Sequence, residues 1–145
     1  ILLTPQGKTM HQGLFRELAT DYEQLILICG HYEGIDERVQ YLVSREVSLG
    51  DFILTGGEIP ALALMNGVVR LLPGTVGKAE SLKSESFESG LLEYPHYTRP
   101  ANFRGWKVPE VLLSGHHAEI ARWRYQQQLQ RTKSRRPDLL KNDDN

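Results

Sequence analysis

Arg70 is, with Asn66, one of two polar interruptions in an otherwise apolar run from Pro60 to Leu72. A charge on so apolar a segment needs a partner or a task; an interfacial salt bridge is the plain alternative to a catalytic role. Three glycine-bearing turns each follow a short apolar run. They are Pro5-Gln6-Gly7, Gly30-His31-Tyr32-Glu33-Gly34 and Leu54-Thr55-Gly56-Gly57. Glycine lets the backbone approach a ligand closely, and in open α/β sheets ligands sit beyond the carboxyl ends of the strands. Any one of these loops reads as an ordinary turn; three at successive strand ends point to a ligand.

Neither a Walker A loop nor a GxGxxG fingerprint is present, which argues against phosphate cradling and dinucleotide binding. A ligand held by backbone amides and carbonyls fits better, and an adenine edge with a methionine tail would qualify. The acids Glu33 and Asp36 follow the first glycine of the second loop, and Glu58 follows the Gly56-Gly57 pair, where an acid suits a helix start. His31, His96, His116 and His117 lack metal-site spacing, so no metal ligands are assigned. The pair His116-His117 suits either capping or RNA contact.

The 145 residues fit one domain plus an appendage, and 40% hydrophobic content suffices for one core. The single cysteine, Cys29, lies in an apolar run and has no internal disulfide partner. That suits a reducing, cytoplasmic compartment. No apolar stretch approaches the roughly 20 residues that span a bilayer, so no membrane association is expected. The start at Ile1 rather than Met suggests that a natural N-terminal segment precedes this chain. The formal net charge of −1 hides an asymmetry. Residues 1–90 hold 7 Lys/Arg against 12 Asp/Glu, whereas residues 91–145 hold 10 against 6. The basic half is where an anionic partner would dock, a solvated helix face being the bland reading. Its candidates are Arg122, Arg124, Arg131, Lys133, Arg135 and Arg136, interleaved with Trp123 and Tyr125. Trp123 reads as core rather than a stacking platform.

These groups need a frame. Strands are expected at 1–4, 25–29 and 52–54, with 47–49 extended, and helices at 11–20, 35–43 and 60–72. Short apolar strands alternating with helices indicate an α/β fold with a parallel sheet. The helix 60–72 is apolar nearly all round, hence buried in the core or in a subunit interface. A Ser/Glu/Lys/Gly-rich flexible linker is expected at 77–90, between a domain at 1–76 and a small helical domain at 91–145. The latter would hold a helix at 117–130 and a final turn at 137–140.

Four long motifs carry a resemblance. They are Gly30-His31-Tyr32-Glu33-Gly34-Ile35-Asp36-Glu37-Arg38-Val39, then Ser48-Leu49-Gly50-Asp51-Phe52-Ile53-Leu54-Thr55-Gly56-Gly57-Glu58, then Gly90-Leu91-Leu92-Glu93-Tyr94-Pro95-His96-Tyr97-Thr98-Arg99-Pro100, and Leu112-Leu113-Ser114-Gly115-His116-His117. Together they closely resemble the bacterial tRNA (guanine-N1-)-methyltransferase family over essentially the whole chain. The resemblance implies a SPOUT-type α/β fold with a deep trefoil knot, an exception to the unknotted rule. It implies a homodimer, tRNA as partner, and S-adenosylmethionine as cofactor, with magnesium as a candidate assistant. Its cofactor positions match Leu3, Pro5, Gly7, Gly30, Tyr32, Glu33, Gly34, Leu49, Gly50, Asp51, Phe52, Ile53, Leu54, Gly56, Gly57 and Pro60. The implied reaction methylates N1 of the guanine immediately 3′ of the anticodon.

Guanine N1 is protonated near neutral pH and must lose that proton to attack a methyl group. A carboxylate base with a cation near O6 would serve, on a base everted into a pocket. Two residues match the family's catalytic positions, Glu85 and Arg70. The family's usual residue at the first is aspartate, so Glu85 departs from the pattern by one methylene. By the same resemblance Glu33 contacts cofactor, while Asp36 and Arg38 are structural. Two other readings compete: a catalytically incomplete RNA-binding fragment of the same enzyme, and a methyltransferase of this scaffold acting on another RNA or a small molecule. The basic helical segment argues against a small substrate.

Overall fold

The structure, a computed structural model, describes residues 1–75 and 85–140. The chain divides into two compact units, Ile1–Gly77 and Lys78–Asn145. In the first, β1 (Leu2–Thr9) lies between β2 (Ile28–Cys29) and β3 (Glu46–Ser48), and both pairings are parallel. Two helices, α1 (Gln12–Asp21) and α2 (Glu58–Val69), pack together. The core joins Leu3 and Val47 of the sheet to Leu14 and Leu18 of α1 and Ala61, Leu64 and Val68 of α2. The expected α/β class with a parallel sheet is therefore present.

Several boundaries differ from expectation, each for a physical reason. β1 does not stop at Thr4. Its register against β3 shifts between Leu3 and Lys8, so that Val47 pairs with both. The apolar run 25–29 forms a strand only at its end, because β1 pairs only Ile28 and Cys29. Residues 52–54 form no strand; they have no partner strand and sit 53%, 79% and 41% exposed at Phe52, Ile53 and Leu54. The expected helix at 35–43 shrinks to a 3₁₀ turn, Glu37–Tyr41. Asp36 caps that turn by accepting from Arg38 N at 2.9 Å. Its apolar residues Tyr41 and Leu42 remain 80% and 85% exposed, so no core draws it into a longer helix.

α2 carries two apolar stripes. Ala61, Leu64 and Val68 face the core, and Ile59, Leu62, Met65 and Val69 are exposed by 56%, 55%, 45% and 47%. Among the described residues of the first unit, the helix is thus covered on one side only.

The second unit holds a short hairpin, β4 (Asn102–Phe103) and β5 (Trp106–Lys107), then α3 (Glu110–Leu113), α4 (His117–Arg135) and a 3₁₀ turn, Pro137–Leu140. α4 runs past the expected end at 130 to Arg135. The segment 91–97 lies along it. Leu92 N donates to Thr132 Oγ1 at 2.9 Å, and Thr132 is fully buried. Trp123 is half-buried, its ring 6.4 Å from that of Tyr97. The expected linker 77–90 falls partly outside the described residues. Its described part, 85–90, is a turn tied in place. Phe87 N donates to Leu91 O at 2.9 Å, and Glu93 N to Ser86 Oγ at 3.0 Å.

Candidate active site

The three glycine-bearing loops meet in one place. Where the β1–β3 register shifts, Gly7 rests on the backbone of β3. A Cβ there would lie 2.3 Å from Val47 N, so no larger residue fits without moving the strand. Gly57, at the start of α2, abuts the end of β2 in the same way, with a Cβ 2.7 Å from Cys29 Cα. Gly57 N donates to Gly30 O at 3.1 Å, and His31 and Gly56 form a β-bridge. The loop after β2 and the loop before α2 are thereby laced together by backbone bonds. Ser48, buried at the end of β3, shapes the remaining wall: its hydroxyl accepts from Gly50 N and donates to Gly50 O, both at 3.1 Å.

These loops enclose a cavity of about 520 Å³. Fourteen of the sixteen positions expected to hold cofactor line it: Leu3, Pro5, Gly30, Tyr32, Glu33, Gly34, Leu49, Gly50, Phe52, Ile53, Leu54, Gly56, Gly57 and Pro60. Gly7 and Asp51 do not. Gly7 sits behind the wall as a spacer against β3, and Asp51 is exposed in the turn. Tyr32 holds a positive φ of 59° at the loop tip, with its side chain fully exposed.

The lining contains Glu33, Asp36, Glu37 and Glu46 and neither lysine nor arginine. Such a rim favours a cationic ligand and disfavours a phosphate. Asp36 is held down to about 2 by the Arg38 guanidinium and by the Arg38 amide. Glu58 is held below its ordinary value by its own backbone amide, then by the imidazole of His31, with which it pairs. Burial and the Glu58 charge push the Cys29 thiol up.

Sequence reasoning missed the His31–Glu58 pair. The two residues lie 27 positions apart and share no motif spacing. It also missed Ser48, although a serine two residues before a glycine at a strand end is a turn signal. Asp36 and Arg38 do pair, and Asp36 lines the cavity as well. Glu58 does occupy the first turn of α2, where Gly57 is the N-cap.

The two expected catalytic residues are not in this lining. Arg70 closes the C-terminal end of α2, ten residues beyond Pro60 and so about 15 Å along the helix. Glu85 begins the turn at 85–90 in the second unit, its carbonyl accepting from Glu88 N at 3.3 Å. His116 precedes α4 but makes no side-chain cap, which removes capping as its role.

The five basic residues of α4, with Arg136 at its C-cap, do not form one surface. At about 100° per residue, Arg122 and Lys133 fall on one side and Arg124, Arg131 and Arg135 on the other. Arg124 lies 4.7 Å over the Tyr94 ring and Arg131 donates to Glu93 O at 3.3 Å, so that side meets the segment 91–97. Arg136 pairs with Asp138 at 2.6 Å. Among the described residues no group of three or more His, Cys, Asp or Glu is placed to hold a metal. No helix of these residues is long and apolar enough to cross a membrane.

Comparison with known proteins places this geometry. Residues 1–142 match the family described as tRNA (Guanine-1)-methyltransferase TrmD. A tRNA (guanine-N(1)-)-methyltransferase of Trichodesmium erythraeum is 95% identical over 145 residues, covering 100% of this chain and 64% of the relative. Relatives of the same name from Nostoc sp. and Gloeobacter violaceus are 75% and 72% identical, each over 97% of this chain, and the chain spans 56% and 62% of their lengths.

Proposed function

The chain belongs to the tRNA (guanine-1)-methyltransferase family, and on that footing we propose that it serves methyl transfer from S-adenosylmethionine to N1 of the guanine immediately 3′ of the tRNA anticodon. One observation carries the reading: a single cavity built from three laced loops, lined by peptide groups, apolar and neutral polar side chains and four carboxylates, with neither lysine nor arginine. S-adenosylmethionine carries a sulfonium and an ammonium against one carboxylate, so it is a net cation without phosphate. Those four carboxylates suit it, and the volume falls within the ordinary range for small-molecule sites. When bound, the cofactor supplies an already activated methyl group, leaving the protein to position and deprotonate.

In this proposal Leu3, Ile53, Leu54 and Pro60 pack the apolar parts of the cofactor. Backbone groups at Gly30, Gly34, Leu49, Gly50, Gly56 and Gly57 read its polar edges. Glu33 faces its positive end. Glu85 accepts the N1 proton, and the Arg70 guanidinium stabilises charge developing on O6. The exposed stripe Ile59, Leu62, Met65 and Val69 belongs to a homodimer interface, because so much contiguous apolar surface is rarely left to water. The loops 30–34 and 49–57 form part of a SPOUT-type trefoil knot, and the enzyme works in the cytoplasm.

The test is transfer of labelled methyl to unmodified tRNA transcripts bearing guanine or adenine at the target position, with and without magnesium. Incorporation into the guanine transcript alone is expected. Equal labelling of both transcripts, or of neither, would sink the reading.

A further inference from the structure

Among the described residues of the second unit, the most exposed large hydrophobic side chain is Trp106. It sits 73% exposed on the β4–β5 hairpin, beside Phe103 at 52%. We propose that this hairpin is a stacking platform for unpaired nucleotides of the RNA, Phe103 and Trp106 offering their ring faces and Arg104 and Lys107 holding the flanking phosphates. The proposal rests on the reading of the chain as part of an RNA-modifying enzyme, and adds to it where unpaired RNA lies.

The hairpin is built to display these groups rather than to bury them. Its two-residue turn, Arg104-Gly105, has positive φ at both positions, 54° and 88°. That turn matches the twist of the strands it joins. Asn102 Oδ1 accepts from Gly105 N at 3.0 Å and locks the turn. Phe103 therefore stands directly opposite Trp106 on one face, with ring centroids 6.2 Å apart and planes tilted by 42°. The Arg104 guanidinium lies 5.3 Å from the centre of the Phe103 ring, adding a cation to the aromatic pair.

Charge selects the partner. No aspartate or glutamate occurs between Glu93 and Glu110, while Arg99, Arg104 and Lys107 do. A polar rim around an aromatic pair also suits a protein contact, so the discrimination rests on sign: the hairpin's other side chains, Asn102, Arg104 and Lys107, include two cations and no acid, which suits phosphates. A second feature adjoins it. Ala101 and Val108, joined by a 2.8 Å backbone bond at the hairpin's base, also line a cavity of about 460 Å³ with Tyr94, His96, Arg99 and Arg124. Aromatic rings beside arginines, on a unit free of acids over this stretch, are the makeup of a single-strand binding groove. Base faces are common to all nucleotides, so the platform should grip unpaired RNA without reading its sequence.

The experiment uses the full chain carrying Trp123→Phe, which leaves Trp106 as the only tryptophan. An anticodon stem-loop RNA and a blunt RNA duplex of equal length are the probes. The stem-loop should quench Trp106 fluorescence and the duplex should not. In the chain that retains Trp123, Phe103→Ala with Trp106→Ala should weaken stem-loop binding about ten- to hundredfold and leave duplex binding unchanged. Trp106→Phe and Phe103→Tyr keep the rings and should retain the affinity, which separates stacking from misfolding. Arg104→Gln with Lys107→Gln should lower the salt slope of stem-loop binding by about one to two. The platform is overturned if the alanine pair binds the stem-loop normally, or loses stem-loop and duplex equally. It is overturned too if the pair changes the sedimentation of the protein, which would mark the hairpin as a protein contact. Calorimetric titration of the unaltered chain with S-adenosylmethionine reports on the cofactor site separately, so failure of one reading is distinguishable from failure of the other.

Discussion

His31 Nε2 meets Glu58 Oε1 beside the cavity, joining the loop after β2 to the first turn of α2. The contact reinforces the backbone bond from Gly57 N to Gly30 O. The side chains are each about half exposed, so the pair adds orientation more than stability.

Its pH dependence follows from Glu58, whose carboxyl is held below the ordinary value of 4.5. A depressed carboxyl contributes fully above the unfolded value and loses its contribution as the pH falls through the folded one. Glu58→Gln should therefore lower stability modestly at pH 8, where the carboxylate contributes fully, and flatten the acid limb below about pH 4.5, the two proteins converging as the pH falls. Urea midpoints between pH 3 and pH 8 check this; an unaltered acid limb would remove Glu58 from the account.

Gly7→Ala places a methyl group 2.3 Å from Val47 N. Overpacking against backbone should cost about 1–3 kcal/mol, and the strand shift should weaken cofactor binding as well. Thermal melting with calorimetric titration measures both. A neutral Gly7→Ala would mean that β1 and β3 separate more easily than their packing indicates.

Thr132→Val keeps the shape of a fully buried side chain but removes the oxygen that accepts from Leu92 N. An unsatisfied buried amide costs about 1–3 kcal/mol. The loss should appear in denaturant unfolding of the second unit and in faster hydrogen exchange at Leu92. Exchange at Leu92 that does not change would show that water replaces the hydroxyl.

Glu85→Gln removes the proposed base while keeping its size. Turnover should fall by about 10²–10⁴ with S-adenosylmethionine affinity little altered, because Glu85 lies outside the cavity lining. Near-normal single-turnover rates in this variant would assign the base to another group.

Leu62→Lys with Val69→Lys puts charges into the exposed stripe of α2 without touching its core face. If that stripe closes a homodimer, sedimentation should show a shift to monomer, and folding of Ile1–Gly77 should persist. A dimer that survives both lysines lies on another surface.

Much of this protein can be read from its residues in order. The apolar runs marked α2, the start of β1 and the end of β2, because burial demands apolar side chains at those places. The glycine turns marked the cavity wall, because only glycine tolerates the close backbone approaches seen at Gly7 and Gly57. Arg70 and Glu85 were legible only through resemblance; nothing local distinguishes Glu85 from other exposed acids.

What required the tertiary structure is pairing across distance. Whether an apolar run becomes a strand depends on a partner, which is why Ile28 and Cys29 pair while Phe52-Ile53-Leu54 does not. The His31–Glu58 contact, the gathering of four carboxylates without lysine or arginine and the double pairing of Val47 arise from residues far apart in the chain. The basic residues of α4 looked like one patch in sequence and divide between two sides once wound at about 100° per residue. Composition and local pattern determine which residues must be buried or turned, since those costs are local. Which groups face each other across the cavity is decided only when the chain closes on itself.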